Sequence, residues 1–175
     1  MRTVRDCCVL SKRTPFRIAR LTDEFDRSNF SSHSDELNTY FHRQVTQDIR
    51  RGVTVCYVAI DDGQHIAGYY TLASAGVLLV DFPDEISKKL PRYPQIPTVL
   101  MGRLAVDRRF EKRGLGPALM ADAFERCKGS GIGAYALFVD AKDDKAAAFY
   151  QHHGFIPLPR SPRRLFLPLP RPKGV

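Results

Sequence analysis

The chain has 175 residues, 43% of them hydrophobic, and carries 27 Lys plus Arg against 19 Asp plus Glu for a formal charge of +8, with a pI near 9.5. That length and apolar content suffice for one substantial core and call for no second one. No apolar run approaches the roughly 18 residues of a membrane span, and residues 1–15 lack the apolar centre of a signal peptide, so a cytoplasmic protein with no membrane partner is expected.

Residues 1–15 form a basic extension with two adjacent cysteines, followed by one domain over 16–169 and a proline-rich tail at 170–175. Residues 16–20 read as a first strand. Leu37, Phe41, Val45 and Ile49 recur at i, i+4 spacing and mark one face of a helix. Residues 53–60 and 65–73 make a hairpin about Asp61-Asp62-Gly63. Four prolines between 82 and 97 predict a long loop with one short helical piece. A central strand at 98–106, a helix at 114–127, a strand at 134–139, a helix at 143–153 closed by Gly154 and a last strand at 164–169 complete an α/β (α+β) pattern.

The junction of the central strand with the following helix carries chemistry. Lys112-Arg113-Gly114-Leu115-Gly116-Pro117 puts a basic glycine turn at a helix start. Glycines let the backbone approach an anion, the first-turn N–H groups have no intrahelical acceptor, and the helix dipole adds to the two cations. Pro117 removes one donor but suits a first helical turn. The turn suits a pyrophosphate.

Cys7 and Cys8 are adjacent, Cys56 falls in a strand pattern and Cys127 on the apolar side of a helix, which is neither a disulfide framework nor a zinc motif. His152-His153 reads as solvated or capping histidines, and no metal is assigned. The surplus positive charge exceeds what a single anionic cofactor requires and favours a polyanionic partner. Its candidate contacts are Arg50, Arg51, Lys88, Lys89, Arg92 and Arg163.

Glu111-x-x-Gly114-x-Gly116, followed by Ala146-x-x-Phe149-Tyr150-x-x-x-Gly154-Phe155, resembles the GNAT superfamily of acetyl-CoA-dependent N-acetyltransferases. That superfamily's turn has the form Gln/Arg-x-x-Gly-x-Gly/Ala. Glu111 departs from it, and a carboxylate at close range to a pyrophosphate is unfavourable unless it turns outward. Arg103-Leu104-Ala105-Val106-Asp107, Val139-Asp140-Ala141-Lys142-Asp143 and the closing Arg164-Leu165-Phe166-Leu167-Pro168-Leu169 narrow the resemblance to the toxin branch, found in bacterial toxin-antitoxin pairs. The resemblance implies the GNAT fold, a central mixed, mostly antiparallel twisted sheet flanked by helices. It further implies acetyl transfer to the α-amino group of aminoacyl-tRNA, a ribbon-helix-helix antitoxin and a homodimer.

By the same resemblance Leu104, Ala105 and Val106 pair their backbone with the pantetheine arm of acetyl-CoA, Asp143, Ala146 and Phe149 lie along that arm, and Tyr150 reaches the thioester sulfur. Full proton donation from a phenol of pKa about 10 to a thiolate of about 8.5 is uphill by about 2 kcal/mol, so a hydrogen bond that grows with the developing charge is the more economical role. No base is required if the amine is an α-amine. At pH 7 such an amine is roughly a tenth to a sixth neutral, against about one lysine in 2,500. Two alternatives stand beside this reading: a GNAT enzyme acting on a protein lysine or small-molecule amine, and a non-catalytic module that binds nucleic acid through its basic surface.

Overall fold

The structure, a computed structural model, describes residues 16–171. The extension at 1–15 and the last four residues of the tail lie outside the described residues. Strands β1 (Arg17–Arg20), β2 (Val55–Ile60), β3 (Ile66–Leu78), β4 (Gln95–Val106), β5 (Ala136–Asp140), β6 (Ile156–Leu158) and β7 (Ser161–Pro168) form one sheet in the order β1-β2-β3-β4-β5-β7-β6. The helices are α1 (Asp35–Arg43), α2 (Val45–Arg50), α3 (Asp84–Ser87), α4 (Leu115–Gly129) and α5 (Asp144–His152). The β4–β5 pair is parallel, while β1–β2, β2–β3, β5–β7 and β6–β7 are antiparallel, in accord with the expected mixed sheet. The described chain divides into two compact units, 16–73 with 102–123 and 74–101 with 124–171.

In the first unit α1 begins where the sequence supplies a cap. Ser34 is extended, its side chain accepts from the Leu37 N–H, and Asp35 and Glu36 sit in the positively polarised first turn. The single helix predicted across Leu37–Phe41–Val45–Ile49 is broken at Gln44, whose φ of −114° and ψ of −36° end α1 and lead into α2. Because ψ stays near helical, the apolar face continues through the break. Phe41 and Val45 are fully buried, with Leu37 and Ile49 packed on the same core.

That core is aromatic. Phe41 stacks on Tyr69 at 4.1 Å, Phe30 meets both rings edge-on, and the buried Tyr69 hydroxyl donates to the Leu37 carbonyl at 2.9 Å. Gly68 is dictated by close approach: a methyl there would lie 2.8 Å from Leu119 Cδ1 and 2.9 Å from the Ala105 carbonyl oxygen. Its absence lets β3 lie tight against β4 and the start of α4.

In the second unit Phe82 is edge-on to Tyr135, Phe138 and Phe166, and the last two stack at 5.5 Å. The long loop expected at 82–97 is shorter than predicted. β3 runs on to Leu78, a 3-10 turn covers Leu79–Asp81, α3 follows, and β4 starts at Gln95. Ile96 and Thr98 are buried while Gln95 and Pro97 are exposed, so the stretch alternates as a strand despite its proline. Strand β6, three residues containing Pro157, was not predicted; its pairing with β7 makes it a strand.

Candidate active site

The registered β4–β5 ladder runs from Val99–Leu137 to Met101–Val139, and β4 continues five residues beyond it to Val106. Leu104 and Val106 are half-buried and Ala105 is buried. The strand then ends on Asp107, which is 1% exposed. The Asp107 N–H donates to the Ala67 carbonyl at 2.8 Å, and its carboxylate accepts from Ser31 N, Arg109 N and Arg109 Nε, each at 2.9 Å. Burial would raise the pKa of this carboxyl, but the hydrogen bonds from Arg109 and the backbone amides outweigh it and hold the pKa below the usual carboxylate range.

A 3-10 turn, Arg108–Phe110, absent from the sequence reading, leads into the glycine turn. Lys112 and Gly114 both adopt left-handed backbone, at φ of 60° and 75°, and α4 starts at Leu115. A β-carbon added at Gly114 would meet nothing within 4 Å. A non-glycine residue at positive φ costs about 1–3 kcal/mol and is retained where backbone direction matters. Alternating backbone of this kind turns successive N–H groups toward one concavity, the geometry of an anion nest. Lys112, Arg113 and Gly114 are exposed, Gly116 and Pro117 half-exposed, and Leu115 is buried as the anchor. The guanidiniums of Arg109 and Arg113 sit 5.5 and 5.4 Å from the Phe110 ring centroid.

The carboxylate at the departing position turns elsewhere. Glu111 Oε2 lies 3.0 Å from His33 Nε2, in a segment also tied to this turn by the Arg108 N–H donating to the Ser31 carbonyl. An open hollow of about 480 Å³ in the same unit is lined by Asp23, Glu24, Asp26, Arg27 and His42 among others, and its acidic wall suits a pyrophosphate poorly.

In the second unit Asp143 is the N-cap of α5. Its Oδ1 accepts from the Ala146 N–H at 2.7 Å, so these two residues satisfy one another, a local signal (Asp three residues before an amide) that the sequence reading had not used. Phe149 is half-buried, edge-on to Tyr150 at 5.4 Å and to His153 at 4.7 Å. Tyr150 is 9% exposed, packs on Phe155 at 5.4 Å, and its hydroxyl has no hydrogen-bond partner among the described residues. Burial pushes its pKa up to about 12. Burial, and then the neighbouring His152, push the His153 pKa down. Gly154 has φ of 93°, as a helix-ending glycine should.

The basic residues differ in how their charge is matched. Arg50 approaches Asp23 at 3.7 Å, and Arg163 Nε donates to Asp144 Oδ1 at 2.9 Å. Arg51, Lys88, Lys89 and Arg92 are exposed and make no ion pair among the described residues. Among those residues no group of three His, Cys, Asp or Glu side chains is placed to hold a metal ion, and Cys56 and Cys127 are free and buried. No helix among them is long and apolar enough to cross a membrane.

The acetyltransferase (GNAT) family matches residues 18–155. The chain is 37% identical over 150 residues to a tRNA-acetylating toxin of Mycobacterium tuberculosis, covering 85% of this chain and 89% of that one. It superposes on AtaT complexed with acetyl-methionyl-tRNAfMet at a TM-score of 0.81 and 31% identity, covering 87% of this chain and 94% of the other. It superposes on a tyrosine-to-phenylalanine mutant of the AtaT toxin, bound to the C-terminus of the antitoxin AtaR and to acetyl-CoA, at a TM-score of 0.73 and 28% identity, covering 88% and 93%. A chain so matched, from its first strand to the end of its last helix, belongs to the acetyltransferase (GNAT) family.

Proposed function

We propose that this protein is a cytoplasmic toxin that transfers acetyl from acetyl-CoA to the α-amino group of aminoacyl-tRNA and so blocks translation. The observation that carries the reading is the turn before α4. Left-handed backbone at Lys112 and Gly114, open space over Gly114 and the Lys112 and Arg113 charges fit a pyrophosphate, in a chain 37% identical to a tRNA-acetylating toxin. In this reading the Gly114, Leu115 and Gly116 amides bind the pyrophosphate and Pro117 contributes none. Backbone of Leu104, Ala105 and Val106 aligns the amide-bearing arm as an added strand would. Since the Ala146 N–H is taken by Asp143, Ala146 and Phe149 contribute packing, and Asp143 fixes the helix that carries Tyr150.

Tyr150 stabilises the sulfur leaving group by a hydrogen bond. Burial pushes its pKa up to about 12, which keeps the phenol neutral and suits it to donate a hydrogen bond rather than surrender its proton. The attacking nitrogen is an α-amine already partly neutral at pH 7, and its excess proton leaves to water. Arg51, Lys88, Lys89 and Arg92 hold the tRNA backbone, with Arg50 and Arg163 contributing less because Asp23 and Asp144 offset them. A single acetyltransferase domain at 16–169, a homodimer and a ribbon-helix-helix antitoxin complete the proposal.

The test is single-turnover transfer of labelled acetyl to charged tRNA, with uncharged tRNA and a lysine peptide as controls. Labelling of the charged tRNA alone is expected. Preferential labelling of the peptide would make the protein a lysine acetyltransferase instead.

A further inference from the structure

Resting on that reading, we infer that Arg103 is a specificity-determining residue which recognises the phosphodiester next to the aminoacylated end of the acceptor strand. Arg103 lies on β4, directly before Leu104–Val106, and its guanidinium carbon sits 3.4 Å from the centroid of the Tyr40 ring. At that separation the planar group lies on the ring face, so its N–H donors point outward around the edge.

The support beneath it is fixed. Tyr40 is 3% exposed within the first unit's core, and its hydroxyl donates to Asp48 Oδ2 at 3.1 Å. Burial pushes the Tyr40 pKa up to about 12 against the opposing Arg103 charge, which keeps the ring neutral. Arg103 itself is half-buried and, among the described residues, makes no hydrogen bond and no ion pair. Several other arginines of the first unit are engaged: Arg27 donates to the Phe41 carbonyl, Arg108 to the Ser32 carbonyl and Arg109 to Asp107.

A partly desolvated, rigidly stacked cation with unused in-plane donors calls for an anion of fork-matching geometry. Arg103 shares its strand face with Ala105, which packs in the same core as Tyr40, so it lies on the α1 side of the strand. An aminoacyl-tRNA carries a phosphodiester on the ribose that bears the amino acid. A lysine peptide carries no such group, so this contact selects the acceptor. The same phosphate chemistry is present in acetyl-CoA, and the experiment separates the two sources.

Steady-state transfer is compared for wild type, Arg103→Gln and Arg103→Lys with aminoacyl-tRNA and with aminoacyl-adenosine, which lacks the phosphate. For Arg103→Gln we expect the KM for aminoacyl-tRNA to rise about 10- to 100-fold, the scale of one charge-assisted hydrogen bond. The KM for acetyl-CoA and transfer to aminoacyl-adenosine should not change, and the slope of log affinity against log salt should fall by about 0.7. Arg103→Lys keeps the charge but not the fork, so it should raise the same KM at an unchanged salt slope, and it decides the matter if the Gln variant does not fold. Equal losses on both acceptors, or a shift confined to the KM for acetyl-CoA, would overturn the assignment while leaving the transfer reaction intact. Wild-type enzyme inactive on both acceptors would overturn the transfer reading and this assignment together.

Discussion

Replacing Tyr150 by Phe removes one hydroxyl and leaves the packing in place. The ring contacts with Phe149 and Phe155 persist, and because the hydroxyl has no partner among the described residues, no buried group is orphaned. The fold and acetyl-CoA affinity should therefore hold, with any stability change within about 0.5–1 kcal/mol. The rate should not hold. Loss of one donor aimed at charge that develops in the transition state costs on the order of 10²-fold. The raised pKa gives a second signature: with the phenol neutral up to about pH 12, the wild-type to mutant rate ratio should stay flat from pH 6 to 10. Rapid-quench single-turnover transfer to charged tRNA across that range measures both, and growth arrest on expression should be lost with the rate. Equal rates for the two proteins would refute the role, as would a ratio that collapses toward one above pH 9.

Gly114→Asp enters open space at φ of 75°, so it should fold yet abolish acetyl-CoA binding by titration calorimetry; unaltered affinity would remove the pyrophosphate from that turn. tRNA affinity should fall steeply between about 50 and 200 mM salt, and the double change Lys88→Glu, Lys89→Glu should flatten that slope; a slope unmoved by these changes would clear this face of phosphate contacts. Burial holds the folded pKa of Cys127 near 11 and of Cys56, Tyr40 and Tyr150 near 12, all above their unfolded values. Groups raised in this way favour the folded state fully below the unfolded pKa, so stability should decline progressively from about pH 8.5 toward 12. Urea midpoints identical at pH 7.5 and 10.5 would contradict that burial.

What the sequence by itself determined is what short-range pattern can carry. The i, i+4 face through Leu37, Phe41, Val45 and Ile49 names a core surface whichever way the helix is interrupted, because each residue lies one turn from the next. The strand, basic glycine turn and helix start at 104–117 were legible for the same reason, as was Gly154 at the end of α5, whereas Tyr150 stood out only through the family resemblance. Even the Asp143 cap is a local feature that reading could have found.

Tertiary structure decided the rest, because those contacts join residues whose separation has no period. Asp107 takes the Ser31 amide 76 positions away, and Glu111 meets His33 across 78, which turns the one carboxylate that departs from the family pattern toward a histidine. Strand β6 exists because β7 offers it a ladder, and the loop over 82–97 shortens because β4 already starts at Gln95, where the Pro97 carbonyl accepts from the Tyr135 N–H. Arg103 looks like any charge on a strand until α1 brings Tyr40 beneath it. The stack satisfies the flat face of the guanidinium and leaves its edge to a ligand, and packing of distant segments alone sets that orientation.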